Sequence, residues 1–411
     1  MTPESGTTRA TGLVALNRSL FFVSWPFFIL YLLLPVYGRD VGASVVEIGL
    51  FFSAFSLMTV LMRPLIGWAL DRFGRRPFLI AGLAGYAATW VSFAFTEQAS
   101  SIVLTRALQG ISSSFVWLPA YAVVADLSDE SARGRAFGAI AQASSQGSLL
   151  GTFVGFGLLT AGLSLSVLNL EMGGWEVLFL VYGFASLVAA LIALVRLPET
   201  RRPIAPVPNG ASTGTGTITW SRAWLLLLLV TLVTGASWAM VSPVLIVFLQ
   251  DSLDLGIETL SWAFLPSGLV WALLPTHLGR LADRFGRKPM MILGLVMASI
   301  SSILIPALSS VIAFALVWAL QALCYAAGDP AEQALVADLT GGDQRGRAYG
   351  FYAMAGNLGA TIGPVGGAWL YQCISPQAPF VTNGILLALC AGALALWLRM
   401  PARSLTGGTS T

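Results

Sequence analysis

The chain has 411 residues, of which 56% are hydrophobic and 10% are charged, with a net charge of +3 and a mean hydropathy of +0.79. A soluble domain carries about 25% charged residues, so this composition excludes an ordinary water-facing surface and predicts a membrane protein. One histidine and three widely spaced cysteines, Cys324, Cys373 and Cys390, argue against zinc, haem or iron–sulfur sites, and we expect no metal or cofactor.

Long apolar runs along the chain predict helices that cross the bilayer, because about 20 residues of helix span its hydrocarbon core. The runs are apolar on all sides, whereas the strands of a β-barrel alternate in polarity. The predicted spans, numbered 1 to 12, are 19–38, 45–69, 78–96, 101–125, 135–161, 175–196, 222–249, 256–279, 289–308, 311–337, 347–371 and 380–399. The predicted fold is therefore an all-α membrane protein with twelve transmembrane helices.

The one long polar connection separates spans 6 and 7. Residues 197–221 begin Leu-Pro-Glu-Thr-Arg-Arg and continue rich in Pro, Gly and Thr, which predicts a cytoplasmic linker between two six-helix bundles, 1–196 and 222–411. If both termini are cytoplasmic, nearly all Arg and Lys residues fall on the cytoplasmic side, and only Arg39 and Arg106 fall near the outer face. The positive-inside rule therefore predicts cytoplasmic termini.

The two bundles repeat one another at a constant offset of 212 positions, without a gap. At this offset Gly67, Asp71, Arg72, Phe73, Gly74, Arg75 and Pro77 recur as Gly279, Asp283, Arg284, Phe285, Gly286, Arg287 and Pro289. The same offset relates Asp126 to Asp338, and Gly147, Gly151 and Gly155 to Gly359, Gly363 and Gly367. Two parallel six-helix repeats predict a cavity between them and rocking of one against the other, as in a transporter.

The segment Gly67 to Arg76, Gly-Trp-Ala-Leu-Asp-Arg-Phe-Gly-Arg-Arg, resembles the cytoplasmic loop signature between helices 2 and 3 of the major facilitator superfamily. The segment Gly279 to Lys288 repeats it between spans 8 and 9, so the resemblance covers essentially the whole chain. It implies two bundles related by a pseudo-two-fold axis and a transporter similar to the drug and metabolite efflux members of that family.

The signature loops predict a conformational latch, which the resemblance implies acts on the outward-open state. Arg63, Gly67 and Asp71 share one stripe of a helix, where the glycine would allow close approach of a neighbouring helix and the carboxylate could meet a helix N-terminus of the other half. We expect Arg75 to pair with Asp126; the alternative is that these charges only set the topology. The predicted latch comprises Arg63, Gly67, Asp71, Gly74, Arg75, Asp126, Gly279, Asp283, Gly286, Arg287 and Asp338.

Two acidic residues of span 10, Asp329 and Glu332, stand where span 4 has Trp117 and Ala120. Counting back from Asp338 along a helix places them roughly 13 and 9 Å inside the membrane. A carboxylate at such depth costs about 2.5–3.5 kcal/mol, which favours its protonated form and predicts proton coupling. The alternative is that both carboxylates are structural groups in a wet vestibule.

Arg106 begins the run Arg-Ala-Leu-Gln-Gly, which resembles the helix 4 signature of proton-coupled family members and makes it a third coupling candidate. Its distance from Asp126 along a helix, about 30 Å, places it at the outer boundary, where an interfacial arginine is the alternative. Family antiporters carry Gly-Pro-x-x-Gly-Gly in helix 5, whereas here span 11 has Gly363 to Gly367 as Gly-Pro-Val-Gly-Gly and span 5 lacks the proline. We expect the glycines to allow close packing in both spans.

By the same resemblance, spans 1, 4, 7 and 10 line the transport path. The candidate substrate-cavity residues, with some from spans 5 and 11, are Trp25, Tyr31, Trp117, Tyr121, Gln142, Gln146, Trp238, Gln333 and Asn357. An aromatic and amide surface with acidic groups and no deep basic pair favours a neutral or cationic amphipathic solute over an organic anion. For each aromatic residue, a belt or packing role is the alternative.

The sequence therefore predicts a secondary active transporter of the bacterial cytoplasmic (inner) membrane that works by alternating access. The predicted activity is proton-coupled efflux of hydrophobic or cationic compounds, and the alternative is a proton symporter or facilitative uptake transporter of a small neutral metabolite. The expected partners are a small-molecule substrate, protons and the bilayer, with a monomeric protein and no nucleic acid. An enzyme is not expected, because no catalytic cluster and no phosphate-binding loop is present in the sequence.

Overall fold

The computed structural model describes residues 3–128, 133–161, 165–167, 170–200, 221–253, 256–273, 285–339 and 345–397. The α-helices among these residues are α1 Pro3–Val23, α2 Phe27–Asp40, α3 Val45–Phe73, α4 Arg76–Ala94, α5 Ala99–Leu127, α6 Arg133–Thr160, α7 Gly174–Arg196, α8 Arg222–Leu253, α9 Ile257–Leu273, α10 Arg287–Leu304, α11 Val311–Leu339, α12 Arg345–Cys373 and α13 Ala378–Trp397. A 3₁₀ turn, Ile305–Ala307, follows α10. A short antiparallel hairpin, β1 Leu165–Val167 with β2 Leu170–Met172, was not predicted.

The first predicted span is a broken helix, formed by α1 and α2 together. The break falls at Ser24 to Pro26, because proline has no N–H to continue the helical hydrogen bonds. The predicted start of this span at residue 19 was wrong, since α1 begins at Pro3. Hydropathy detects the apolar run, whereas a helix also continues through polar residues outside the bilayer.

The other spans follow the predicted order, with span 2 as α3 and span 12 as α13, and their described ends agree within about one turn of helix. The predicted end of span 8 at 279 and most of the linker 197–221 lie outside the described residues. Eight helical stretches of the described chain are long and apolar enough to cross a membrane. Large apolar side chains such as Phe184 and Leu396 are exposed on the outside, as a lipid-facing surface requires.

The glycines of α6 and α12 hold each of these helices against the first helix of its own half. An added Cβ on Gly151 would collide with the Trp25 carbonyl oxygen, and one on Gly363 would collide with the Ala236 carbonyl oxygen. The predicted packing role of the glycines is thus confirmed in both halves, α1–α7 (the N-half) and α8–α13 (the C-half).

The two halves touch at one end of the molecule, which we call the closed end. There the Arg39 guanidinium donates to both Asp251 carboxylate oxygens, at 2.8 and 2.7 Å, and the Tyr371 hydroxyl donates to Asp251 Oδ2 at 2.8 Å. A Cβ added to Gly49 of α3 would lie 2.7 Å from the Pro364 carbonyl oxygen of α12. Helices α3 and α12 therefore cross with their backbones nearly in contact.

The buried core also differs between the two ends of the molecule. One cluster joins both halves and includes, for example, Leu33 of α2 and Phe248 of α8. A second cluster, around Trp224 at the start of α8, contains only C-half residues among those described. At this second end, the open end, the described Trp68 is 61% exposed. The described contacts between the halves therefore lie at the end opposite the first signature loop.

Candidate functional site

The predicted pair of Arg75 and Asp126 is present at the open end, with Arg75 Nε 2.6 Å from Asp126 Oδ2. Both side chains are largely buried, at 17% and 16% exposed, so solvent screens this pair less than a surface pair. The Thr200 hydroxyl donates to the same Asp126 oxygen at 3.1 Å. The pair thus joins the loop after α3, the end of α5 and the segment after α7.

Glu199 closes this network and was missed by the sequence reasoning. Its carboxylate accepts hydrogen bonds from the backbone N–H groups of Arg75 at 3.0 Å and Arg76 at 3.2 Å, at the start of α4. A carboxylate there satisfies free N–H groups and complements the positive end of the helix. The available signal was an acidic residue directly after span 6, which sequence reasoning assigned to the linker.

Gly74 sits between α3 and α4 with φ +94°, and Gly286 repeats this φ value in the second signature. A side chain is strained at this φ, and a Cβ on Gly74 would lie 2.7 Å from Glu199 Oε2. Both signature loops therefore make the same turn, which only glycine adopts readily.

Among the described residues, no atom lies within 4 Å of a Cβ placed on Gly67, so the expected close approach is not made in this conformation. The latch is expected to act in the outward-open state, so close approach at Gly67 stays a prediction for that state. Arg63, on the same stripe, is partly buried. The side chains of Asp71, Arg287 and Asp338 and the residues Gly279 and Asp283 lie outside the described part of the structure.

Arg106 lies inside the N-half, between α5 and α3, and is 4% exposed. Its Nε donates to the Phe51 carbonyl oxygen at 3.1 Å, its Nη1 donates to the Gln109 side chain, and the guanidinium stacks over the Phe55 ring at 4.5 Å. The alternative of an interfacial arginine is therefore wrong, because packing of α3 against α5 encloses the side chain. A carbonyl dipole, an amide and a ring face stabilise this buried charge.

Glu332 faces the interior of the C-half. The Thr231 hydroxyl of α8 donates to Glu332 Oε1 at 3.0 Å. Beside this bond lies a cavity of about 370 Å³, which we call the C-half cavity. Its walls come from α8, α10, α11 and α12 and include Thr231, Trp238, Leu295, Tyr325, Glu332 and Tyr352. The side chains of Asp329 and Gln333 lie outside the described residues.

The remaining cavity candidates fall into separate groups. Tyr31 and Trp238 line one small cavity together with Ser242, between α2 of the N-half and α8 of the C-half. Trp238 also forms a wall of the C-half cavity, where its ring meets Tyr325 edge-on at 5.5 Å between centroids. Tyr325 and Tyr352 were not predicted, because their spacing resembles that of ordinary packing residues.

On the N-half side, Trp117 packs against the Tyr121 ring at 5.9 Å, and Tyr121 is 47% exposed. Gln142 and Gln146 are exposed on α6. Trp25 lies at the break between α1 and α2, and Asn357 donates to the Ala353 carbonyl oxygen of its own helix at 2.6 Å. Among the described candidates, the structure thus brings Trp238 and Glu332 to the C-half cavity and Tyr31 and Trp238 to the small cavity, and it leaves Gln142 and Gln146 exposed on α6.

The model of the Major Facilitator Superfamily matches residues 16–229 and again 227–410, so the chain belongs to this superfamily and is a multi-pass membrane transporter rather than an enzyme. It is 22% identical to "Multidrug resistance protein 1" of Bacillus subtilis (strain 168) over 88% of this chain and 90% of that protein. It is 25% identical to "Multi-drug resistance efflux pump PmrA homolog" of Lactococcus lactis subsp. lactis (strain IL1403), over 89% and 90%. Among solved structures, a bacterial homolog of the human lysosomal transporter Spinster, in an inward-facing and unoccupied conformation, aligns with a TM-score of 0.73 at 16% identity over 96% of this chain and 97% of that chain.

Proposed function

We propose that the protein exports hydrophobic or cationic compounds in exchange for protons, by alternating access, across a bacterial cytoplasmic membrane with both termini inside. The observation that carries this proposal is the Glu332 carboxylate beside an apolar cavity that is open to a ligand. The names of the two bacterial relatives, which describe multidrug resistance and efflux, support the direction of transport.

The proposed orientation places the open end in the cytoplasm, because the basic signature loops lie there. The structure then corresponds to an inward-open state, in which substrate enters from the cytoplasm. The outer face is closed by the Arg39–Asp251 pair, whose two parallel hydrogen bonds hold the halves together. Opening the outer face requires this pair to separate while the halves approach at Gly67 and the signature loops.

Proton exchange follows from the cost of a charge in this cavity. A carboxylate in a cavity lined mainly by apolar and aromatic groups is stabilised further by binding a proton or a cation. Binding of one therefore opposes binding of the other, which couples their movements. Asp329, three positions earlier on α11, remains a second candidate for the same role.

The position of Arg106 also supports placing the coupling group in the C-half. It places a buried positive charge in the N-half, where a cationic compound would be repelled. The negative group lies in the C-half at Glu332. We infer that the C-half carries the coupling group and that Arg106 positions α3 against α5.

The test is proton movement in everted membrane vesicles after addition of a fluorescent cationic dye. We expect wild type to release protons from the vesicle interior as dye accumulates, and Glu332→Gln to lose this exchange at least about tenfold because the neutral amide cannot take up a proton. The matched control is Glu97→Gln, which neutralises an exposed carboxylate after α4. Unchanged exchange in Glu332→Gln would contradict the proposal, and proton movement in the same direction as the dye would indicate symport.

A further inference from the structure

The C-half cavity has a filled counterpart in the N-half. At the offset of 212 positions, Met291, Leu295, Glu332 and Tyr352 correspond to Leu79, Leu83, Ala120 and Ile140. These four N-half side chains are at most 1% exposed and belong to the buried core. These four positions are therefore packed into the core of the N-half, and their C-half equivalents line a cavity.

Three of the lining positions carry smaller side chains than their N-half equivalents. Thr234 stands where the N-half has Phe22, Gly235 stands where it has Val23, and Gly356 stands where it has Ser144. In the N-half, Val23 is fully buried, and Ser144 Oγ lies 2.8 Å from Ser24 Oγ. A concave, mainly apolar cavity of about 370 Å³ with one carboxylate has the size and lining of a small-molecule site.

The walls of the cavity determine the chemistry of that occupant. Among the described lining residues, Glu332 carries the only charge. Trp238 and Tyr325 present two rings at 78° to each other, and ring faces attract cations. Met291 and Leu295 give the opposite wall an apolar surface. A carboxylate, ring faces and apolar walls together suit an organic monocation with an aromatic or aliphatic body.

We propose that the C-half cavity is a binding site for an organic monocation, formed by the C-half alone. Every described residue that lines it comes from α8, α10, α11 or α12, so the described walls of the site belong to one half. The proposal rests on the proposed function in that Glu332 serves both as the proton-exchange group and as the counter-ion. A cation bound there moves with the C-half when the halves rock.

The test measures binding of tritiated benzyltrimethylammonium to the purified full-length protein in detergent, with its neutral isostere neopentylbenzene as a competitor. This probe is a permanent cation, so its own charge does not change with pH. We expect saturable binding of the cation to wild type and at least about tenfold weaker competition by the neutral isostere, because the carboxylate recognises the charge.

Two filling variants locate the site. A Cβ on Gly356 would meet only Thr231 Cγ2, at 3.6 Å, so Gly356→Leu projects into the cavity without a backbone clash. Thr234→Phe introduces the residue that the N-half has at that position. We expect each variant to weaken binding at least about tenfold, and the matched control Gly350→Leu, at an exposed position of the same helix, to bind within about twofold of wild type. Thermal unfolding identifies a variant that has not folded. Binding to the other filling variant then tests the site.

Wild type that does not bind the cation, or equal competition by neopentylbenzene, would overturn the site. Wild-type affinity in both filling variants would also overturn it, and would leave the proposed function intact if Glu332→Gln still lost proton exchange. Lost binding in the filling variants, with proton exchange retained in Glu332→Gln, would keep the site and remove the coupling role of Glu332.

Discussion

The two halves of this transporter share a backbone plan and differ in their buried charges. The glycines of α6 and α12 make the same close approaches to α1 and α8, and both signature loops turn at a glycine with φ +94°. At equivalent positions of α5 and α11, however, Arg106 corresponds to Trp318 and Ala120 to Glu332. Contacts between backbones require the same small residues in each copy, whereas a charge or a hollow can be changed in one copy alone.

The largest expected effect comes from placing the C-half carboxylate at its equivalent position in the N-half, residue 120. Ala120 is fully buried in the filled N-half core, so Ala120→Glu inserts a charged group with no space and no partner. We expect the free energy of unfolding to fall by about 3–5 kcal/mol, or the variant not to fold. Thermal and denaturant unfolding in detergent measure it.

The reciprocal change, Glu332→Ala, is the matched control for this experiment. It removes a carboxylate from a hollow rather than from a packed core, so we expect at most about 1 kcal/mol of lost stability. Equal destabilisation by the two changes would show that the halves do not differ in packing at these positions.

Two glycines of the first signature segment lie in different local structures, Gly74 in a turn and Gly67 in helix α3. Gly74→Ala places a side chain at φ +94° and against Glu199, so we expect a loss of about 2 kcal/mol. Gly67→Ala is the control, because this position is helical and has open space, and it should gain up to about 1 kcal/mol. Unfolding free energies of the two variants test this difference.

Gly67 has a second, functional readout. If α3 and the other half approach at this residue when the outer face opens, Gly67→Ala lowers the rate of dye transport without lowering stability. Unaltered transport in Gly67→Ala would argue against close approach at this position in the transport cycle.

The smallest expected effect concerns the ion pair of the closed end. Arg39 and Asp251 occupy the same repeat position, so the pseudo-two-fold axis brings them together and opposite charges make the contact favourable. Their side chains are 32% and 45% exposed, which limits the pair to about 1 kcal/mol. Asp251→Arg should therefore make the closed end open about fivefold more often.

Labelling at the closed end measures this opening. A cysteine introduced as Val46→Cys, in a chain whose three native cysteines are replaced by serine, reports access to the closed end. The double variant Arg39→Asp with Asp251→Arg should restore the wild-type labelling rate, since the attraction is re-formed. A labelling rate in Asp251→Arg equal to that of wild type would show that the Arg39–Asp251 pair does not hold the closed end shut.

Much of the fold followed from one-dimensional patterns. Apolar run length predicted the spans, the repeated glycines predicted close helix packing, and the signature loop predicted the pairing of Arg75 with Asp126. The patterns failed where a partner lies far away in sequence. Glu199 was assigned to the linker although it caps α4, and Arg106 was placed at a boundary although α3 encloses it.

By itself, the sequence determined that the chain lies in a bilayer, is duplicated and carries its charges at few positions. Hydropathy is read along the chain, and the repeat is read by comparing positions at a fixed offset. Neither requires knowledge of which residues are neighbours in space. Only the tertiary structure decided that Glu332 faces a hollow in its own half, that Arg106 is enclosed, and that the halves meet at Arg39 and Asp251. A cavity is defined by what surrounding helices fail to fill, and that depends on packing between segments more than a hundred residues apart.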